Sequence, residues 1–256
     1  MAVVTGAARG LGRVISAMLA DKGYALGLVD VADLTATAAE LARTGVPVLT
    51  AAVDVSSEVG VKRFVREVYE RFGHVEALVN NAGVSLLCPA EETSLEVWQR
   101  VVAVNLTGAF LFCREFGLKM LAAGAGSIVN VASIAGLRAV AQRVAYNASK
   151  HGMIGLTTTL AAEWGGRGVR VNAVCPGWIK TEMDAEDQAS GGYSDRDITD
   201  QVPMGRFAAP VDVASAVAFL LDASSSFING VALPVDGGWS SDASWTALRL
   251  RCRTTP

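Results

Sequence analysis

Short runs rich in β-branched residues alternate with amphipathic stretches, which predicts an α/β fold: a doubly wound parallel sheet of about seven strands with helices on both faces. Two further observations support that class. A glycine-rich turn, Thr5-Gly6-Ala7-Ala8-Arg9-Gly10-Leu11-Gly12, separates the first run from the first amphipathic stretch. The 256 residues are 51% hydrophobic with a mean hydropathy of +0.36, enough apolar surface to bury a large core beneath two helical layers.

Taken in order, Ala2–Thr5 is a short apolar strand stopped by Gly6, and Leu11–Lys22 carries apolar residues at helical spacing. Ala25–Asp30 reads as the second strand, Leu34–Arg43 as a helix, Val46–Val53 as the third strand, Val59–Phe72 as an amphipathic helix and Glu76–Val79 as the fourth strand. One long helix is expected over Leu95–Ala122, then strand Ser127–Ala132, a helix over Tyr146–Trp164 and strand Val169–Val174. After Pro176 the pattern lapses. Residues 177–205 are polar and contain Gly191-Gly192, an irregular length that in a compact domain points to a functional lid. Val211–Leu221 is the last helix and Val231–Val235 the last strand. No linker, charge block, internal repeat or low-complexity segment divides the chain, which predicts one domain over 1–240 and a C-terminal tail over 241–256.

A net charge of -3 and a pI near 5.5, with no basic cluster before the last few residues, disfavour nucleic acid and anionic membranes as partners and favour a small molecule. The apolar run Val101–Phe112 is broken by Asn105, Thr107 and Gly108, short of a membrane span. No basic segment followed by an apolar one opens the sequence, so a cytoplasmic location is expected. Cys88, Cys113, Cys175 and Cys252 are scattered without metal-ligand spacing, with only His74 and His151 to join them, and no metal site is expected.

Gly6, Gly10 and Gly12 lie where a strand turns into a helix. Absent side chains there let the backbone turn tightly and approach a pyrophosphate at the helix N-terminus, with Arg9 and Leu11 in the same turn. Asp30 closes the second strand eighteen residues after Gly12, where a carboxylate accepts hydrogen bonds from an adenosine ribose and repels a 2'-phosphate, which favours NAD over NADP. Arg9 argues the other way, since a guanidinium in the turn could meet that phosphate. Asp54-Val55 ends the third strand, as cofactor contacts or as the lead-in to a helix N-cap at Ser56-Ser57. Asn80-Asn81-Ala82-Gly83 ends the fourth, where Asn81, Ala82 and Gly83 let backbone pass close to adenine and ribose.

Tyr146 and Lys150, four apart on a helix, share one face, so the ammonium can favour the phenolate. That suits Tyr146 to proton transfer. An ordinary phenol ionises near pH 10, and bringing that to about 7 takes roughly 4 kcal/mol, within reach of a nearby cation in a dry pocket.

Together these motifs resemble the short-chain dehydrogenase/reductase family, in its single-domain branch, over nearly the whole chain from Thr5 to about Gly238. The likeness rests on Thr-Gly-x-x-x-Gly-x-Gly, Asn80–Gly83, Asn105, Ser133, Tyr146 to Lys150, Pro176-Gly177 with Thr181, and Val235–Gly238. The resemblance implies a Rossmann-like fold and an NAD(P)-dependent oxidoreductase. In it Tyr146 transfers the proton, Ser133 holds the substrate oxygen, Lys150 binds the nicotinamide ribose and Asn105 anchors a water of a proton relay. It also implies that Pro176, Gly177, Ile179 and Thr181 lie at the nicotinamide, and that the protein assembles as a homotetramer. The apolar residues Val101, Val104, Phe110, Phe112 and Phe116 exceed one helix face and point the same way. Two departures stand out: the sequence opens almost directly on strand one, which is expected to be weakly anchored at its start, and the tail carries Trp245, Arg249, Arg251 and Arg253.

The expected substrate is a small secondary alcohol or its ketone, chosen by Val84–Ala90, Ile134–Arg143 and the lid. The lid holds Glu182, Asp184, Glu186, Asp187, Asp195, Asp197 and Asp200 against Lys180 and Arg196 and reads first as a solvated acidic loop. If part of that charge faces the pocket, neutral polyols, sugars or cyclic alcohols are preferred over anionic substrates such as acyl-carrier thioesters. The alternatives are an NADP-dependent ketone reductase of 3-oxoacyl type and a regulator that binds the nucleotide without chemistry.

Overall fold

The computed structural model describes residues 1–181, 185, 188, 189 and 193–244. Strands β1 (Ala2–Thr5), β2 (Leu26–Asp30), β3 (Val48–Ala52), β4 (Ala77–Asn80), β5 (Gly126–Val131), β6 (Val169–Pro176) and β7 (Ala232–Val235) form one sheet in the order β3-β2-β1-β4-β5-β6-β7. Every pairing is parallel. Strand order reverses between β1 and β4, so the connections leaving their C-terminal ends diverge and open a crevice, the place where such sheets bind ligands.

Parallel strands covered on both faces read as continuous apolar runs, and each face here takes alternate residues. Val3, Val29, Leu78 and Ile128 pack against α3 (Glu58–Phe72), α5 (Gly108–Ala123) and α6 (Val144–Trp164) through Phe64, Phe112, Phe116 and Trp164. Val4, Leu28, Val79 and Val129 pack against α1 (Gly10–Asp21), α2 (Thr35–Leu41) and α8 (Pro210–Leu221) through Ile15, Leu19, Leu41, Val213 and Val217. The expected doubly wound α/β fold is the observed one.

The long helix expected over Leu95–Ala122 is divided. α4 (Leu95–Val102) runs into a π-helical turn, Ala103–Thr107, before α5. The wider turn carries Asn105 inward, fully buried, where its side chain bonds the backbone of Val84. By length and apolar content the 29 residues Leu95–Ala123 are able to cross a membrane, but Phe112, Cys113 and Phe116 in this stretch are wholly buried in the core. The apolar surplus that suggested a second buried face is mostly met inside the chain: Val101, Val104, Phe112 and Phe116 are buried, and Phe110 is 41% exposed.

The start of β1 is firmly held, against expectation. Ala2 pairs with Leu26 and with Ala77, and the Met1 carbonyl accepts from Glu76 N at 3.0 Å. A strand between two neighbours is secured by their ladders whatever precedes it. The segment after β6 also has more structure than an irregular lid: short helix α7 (Asp195–Thr199) opens with a capping box between Ser194 and Asp197.

Candidate active site

The crevice is a cleft of about 340 Å³ along the C-terminal ends of β1 to β6. At its first end Gly6 and Gly10 take φ of +67° and +53°, the left-handed region that glycine enters without strain. Gly12 is set by space: a Cβ there would stand 2.0 Å from the Gly6 carbonyl oxygen and 2.5 Å from Asn81 Nδ2. Asn81 Nδ2 donates to the carbonyls of Thr5 and Gly6 at 2.9 and 3.0 Å, and Thr5 Oγ1 accepts from Asn81 N and Ala82 N, both at 3.0 Å. Asn81 therefore shapes the glycine turn from the neighbouring strand. The N-terminus of α1 has no side-chain cap and no acid in its first turn, which suits an anion.

Asp30 lies at the mouth of this half, its Oδ2 accepting from Ala8 N at 2.9 Å and its Oδ1 from Ala32 N at 3.0 Å. The same two bonds fix the carboxylate in the cleft wall beside Val31 and Arg9. Asp54 and Val55 are also in the wall. Asp54 is engaged with Ser56 and with Arg100 Nη1 at 2.9 Å, and the Ser56 hydroxyl first, then Arg100, hold its carboxyl down at about 2. Ser57 is the N-cap of α3. A glycine turn that no Cβ can enter, an uncapped helix start and a carboxylate at the end of β2 fit the pyrophosphate and ribose of a dinucleotide.

At the other end Ser133, Tyr146 and Lys150 line the same cleft. Ser133, just after β5, accepts from Ala135 N at 3.1 Å, which fixes its hydroxyl. Tyr146 and Lys150 stand one turn apart on α6, and Lys150 Nζ lies 5.5 Å from the Tyr146 ring centroid. Lys150 is 3% exposed, and its ammonium donates to the Val131 carbonyl at 2.7 Å; burial pulls its pKa down to about 8. Asn105 Oδ1 accepts from Val84 N at 2.8 Å, while its Nδ2 donates to Val84 O at 3.0 Å and Ser149 Oγ at 3.1 Å. Its side chain thus clasps the segment after β4 to α6. Gly83, Pro176, Gly177, Ile179 and Thr181 complete the wall, with Trp178 against Tyr193 at 5.3 Å between centroids.

Sequence reasoning did not single out Arg143, Arg100 or Ser149. Arg143 is buried at the substrate end and donates to Ser85 Oγ, with its guanidinium 5.9 Å from the Tyr146 ring and 5.8 Å from the Trp178 ring. An arginine three residues before the tyrosine, at a helix start, was the available signal. The lid acids Asp195, Asp197 and Asp200 bond to Lys180, Ser194 and Arg196, the pattern of a solvated loop. Glu182, Asp184, Glu186, Asp187 and the tail residues Trp245, Arg249, Arg251, Cys252 and Arg253 lie outside the described residues. Among the described residues no group of three or more His, Cys, Asp or Glu is placed to hold a metal.

The sequence profile of a family described as enoyl-(acyl carrier protein) reductase matches residues 6–240. The chain is 43% identical over 242 residues to a D-threitol dehydrogenase of Mycolicibacterium smegmatis, covering 94% of this chain and 92% of that one. The chain belongs to the short-chain dehydrogenase/reductase family. As a member it is an NAD(P)-dependent oxidoreductase acting on CH–OH groups. The crystal structure of levodione reductase superposes with a TM-score of 0.91 at 35% identity, covering 94% and 97% of the two chains. A protein of Beutenbergia cavernae described as an NAD(P)-dependent gluconate 5-dehydrogenase, with NADP bound at low occupancy, superposes at 0.86 with 38% identity over 94% and 96%.

Proposed function

We propose that the chain is an NAD-dependent dehydrogenase of small secondary alcohols, polyols foremost, with Tyr146 as its acid/base. The observation that carries this reading is one cleft holding Asp30 at one end and Ser133, Tyr146 and Lys150 at the other. A nicotinamide dinucleotide held between the glycine turn at Gly6, Gly10 and Gly12 with Asp30 and the wall at Gly177, Ile179 and Thr181 would supply the hydride acceptor. The protein's part is to hold the alcohol oxygen at Ser133 Oγ and to take its proton on Tyr146 Oη. Lys150, cationic below about pH 8, favours the phenolate. In the reverse direction the phenol returns the proton to a ketone oxygen.

NAD is preferred because the Asp30 carboxylate, pinned by two backbone amides, stands where a 2'-phosphate would add like charge. Arg9 in the same wall, and NADP on one structural relative, support the opposite choice, so cofactor preference is the direct test. The polyol choice is supported by the threitol dehydrogenase and by a substrate end mixing Ser133, Arg143 and Tyr193 with apolar Val84, Val140 and Trp178. A cytoplasmic enzyme is part of the same reading. The experiment is a panel of alcohols (threitol, glycerol, 2,3-butanediol, cyclohexanol) assayed with NAD and with NADP by absorbance of the reduced cofactor. The expected result is at least tenfold higher kcat/KM with NAD, about 1.4 kcal/mol. Equal or better turnover with NADP overturns the cofactor assignment, and no turnover of any alcohol in the panel overturns the substrate class.

A further inference from the structure

Two buried cations flank the Tyr146 ring. Lys150 Nζ is 5.5 Å from its centroid and the Arg143 guanidinium carbon 5.9 Å, and the two residues are 3% and 7% exposed. They come from different directions along the chain, Lys150 from one turn further into α6 and Arg143 from the residue that starts it. The backbone is shaped to deliver Arg143. Gln142, immediately before it, takes φ of +59°, a left-handed conformation uncommon outside glycine. Its carbonyl accepts from Cys88 N at 2.8 Å, and Cys88 and Arg143 form an isolated parallel bridge. The Ser85 hydroxyl and the Trp178 ring then fix the guanidinium.

We propose that Arg143 is a positioning residue for the acid/base: with Lys150 it makes a pair of cations around the Tyr146 ring that favours the phenolate and lets the proton leave near neutral pH. This rests on the reading of Tyr146 as the proton-transfer group. A cation about 6 Å away in a poorly hydrated site is felt strongly by a forming phenolate, whose negative charge spreads into the ring. An arginine keeps its charge throughout the range in which the enzyme works, whereas burial lets Lys150 lose its proton above about pH 8. Arg143 thus supplies the steady part of the field and Lys150 the part that fades with rising pH.

The other ionisable groups on the elements around this ring do not replace it. Burial pushes the Cys175 thiol on β6 up to about 11, so it stays neutral while the phenol ionises. Asp236, after β7, is turned to its own loop, its oxygens accepting from Gly238 N and Ser240 N. Cys88 lines the far side of Tyr146, Tyr193 lies tilted against Trp178, and the exposed His151 faces the Asn147 carbonyl.

The test reads ionisation directly and then through turnover. The protein has four tyrosines, and burial raises the phenols of two others, Tyr24 and Tyr69, the latter to about 12. In protein labelled with 13C at the tyrosine ζ carbon, a Tyr146→Phe sample assigns the Tyr146 resonance without any substrate or cofactor. Arg143→Met should move its inflection up by about one pH unit and Arg143→Lys by much less. The same displacement should appear in the pH profile of kcat/KM for the alcohol, with about a tenfold loss at neutral pH. An Arg143→Met protein whose Tyr146 resonance titrates as in the wild type overturns the proposal. So does a raised KM with an unmoved pH profile, which would make Arg143 a substrate-binding group. A wild-type resonance that titrates low while Tyr146→Phe keeps full turnover would leave the field intact and overturn the catalytic reading of Tyr146 instead.

Discussion

The two ends of the cleft are built by different means. At the cofactor end the main chain does most of the shaping, braced by the Asn81 and Thr5 side chains: positive φ at Gly6 and Gly10, an absent Cβ at Gly12, and amides of Ala8 and Ala32 on Asp30. At the substrate end, side chains from separate segments converge: Ser133 after β5, Arg143 at the start of α6, Tyr146 and Lys150 within it, Trp178 and Tyr193 beyond β6. A site made by backbone has few acceptable residues at each position. One made by converging side chains has a few fixed chemical groups and a variable wall.

The sharpest way to separate the ends is Tyr146→Phe. Removing one hydroxyl eliminates the proton path, so turnover should fall about 10²- to 10⁴-fold. The ring stays, so NAD affinity measured by calorimetry should be unchanged. Substantial residual turnover would move the acid/base elsewhere. At the other end Gly12→Ala should do the opposite kind of damage. Its methyl would collide with the Gly6 carbonyl at 2.0 Å, backbone against backbone, with Asn81 closing the alternative. NAD affinity should fall by roughly a hundredfold or more, about 3 kcal/mol. A variant that binds NAD normally would show that the turn is looser than its packing indicates.

Between the ends stands Asn105, whose amide ties Val84 to Ser149 on α6. Asn105→Ala leaves the half-buried Val84 amide and carbonyl without these partners and should lower stability by about 1 kcal/mol, read in a urea titration. If it lowers kcat with unchanged stability, its role belongs to the proton path and not to the clasp.

The same contrast explains what the sequence disclosed. Tyr146 and Lys150 share a helix face by spacing, Ser133 enters through the family resemblance, and the sheet, the glycine turn and Asp30 were readable because strand ends and fixed spacing constrain them. The π-helical turn at Asn105 was not, because Ala103–Thr107 carries an ordinary helical composition and only the distant Val84 gives the extra residue a reason to turn inward. Arg143 was hidden for a similar reason: the significance of a cation before a helix depends on the rings of Tyr146 and Trp178, which only the fold brings to it. The buried α4–α5 surface shows the opposite error. Counting Phe112 and Phe116 on one helix suggested a partner subunit, whereas both pack on Phe64 inside the same chain. A homotetramer therefore rests on the family likeness and on exposed apolar residues such as Leu95, Phe110, Leu118, Val211 and Phe219.

The smallest expected effect concerns Lys150 in the cofactor-free protein. Its ammonium is buried and bonded to one carbonyl, Val131 O, and desolvation lowers its pKa from 10.5 to about 8. Between those values the unfolded chain binds more protons than the folded one, so this residue's contribution to stability rises with pH through that window. It is fully present above 10.5 and lost as pH falls to about 8. Lys150→Met removes the titration and keeps most of the stem. The melting temperature of Lys150→Met relative to wild type should therefore be most favourable at pH 8 and below, and the difference should shrink as pH approaches 10.5, a swing of about 3 kcal/mol at most. Other groups that ionise in alkali are common to both proteins and largely cancel in the difference. A difference that stays flat from pH 7 to 10.5 would show that the ammonium is as well solvated in the fold as in the open chain, and that Lys150 carries full charge at every pH where the enzyme works.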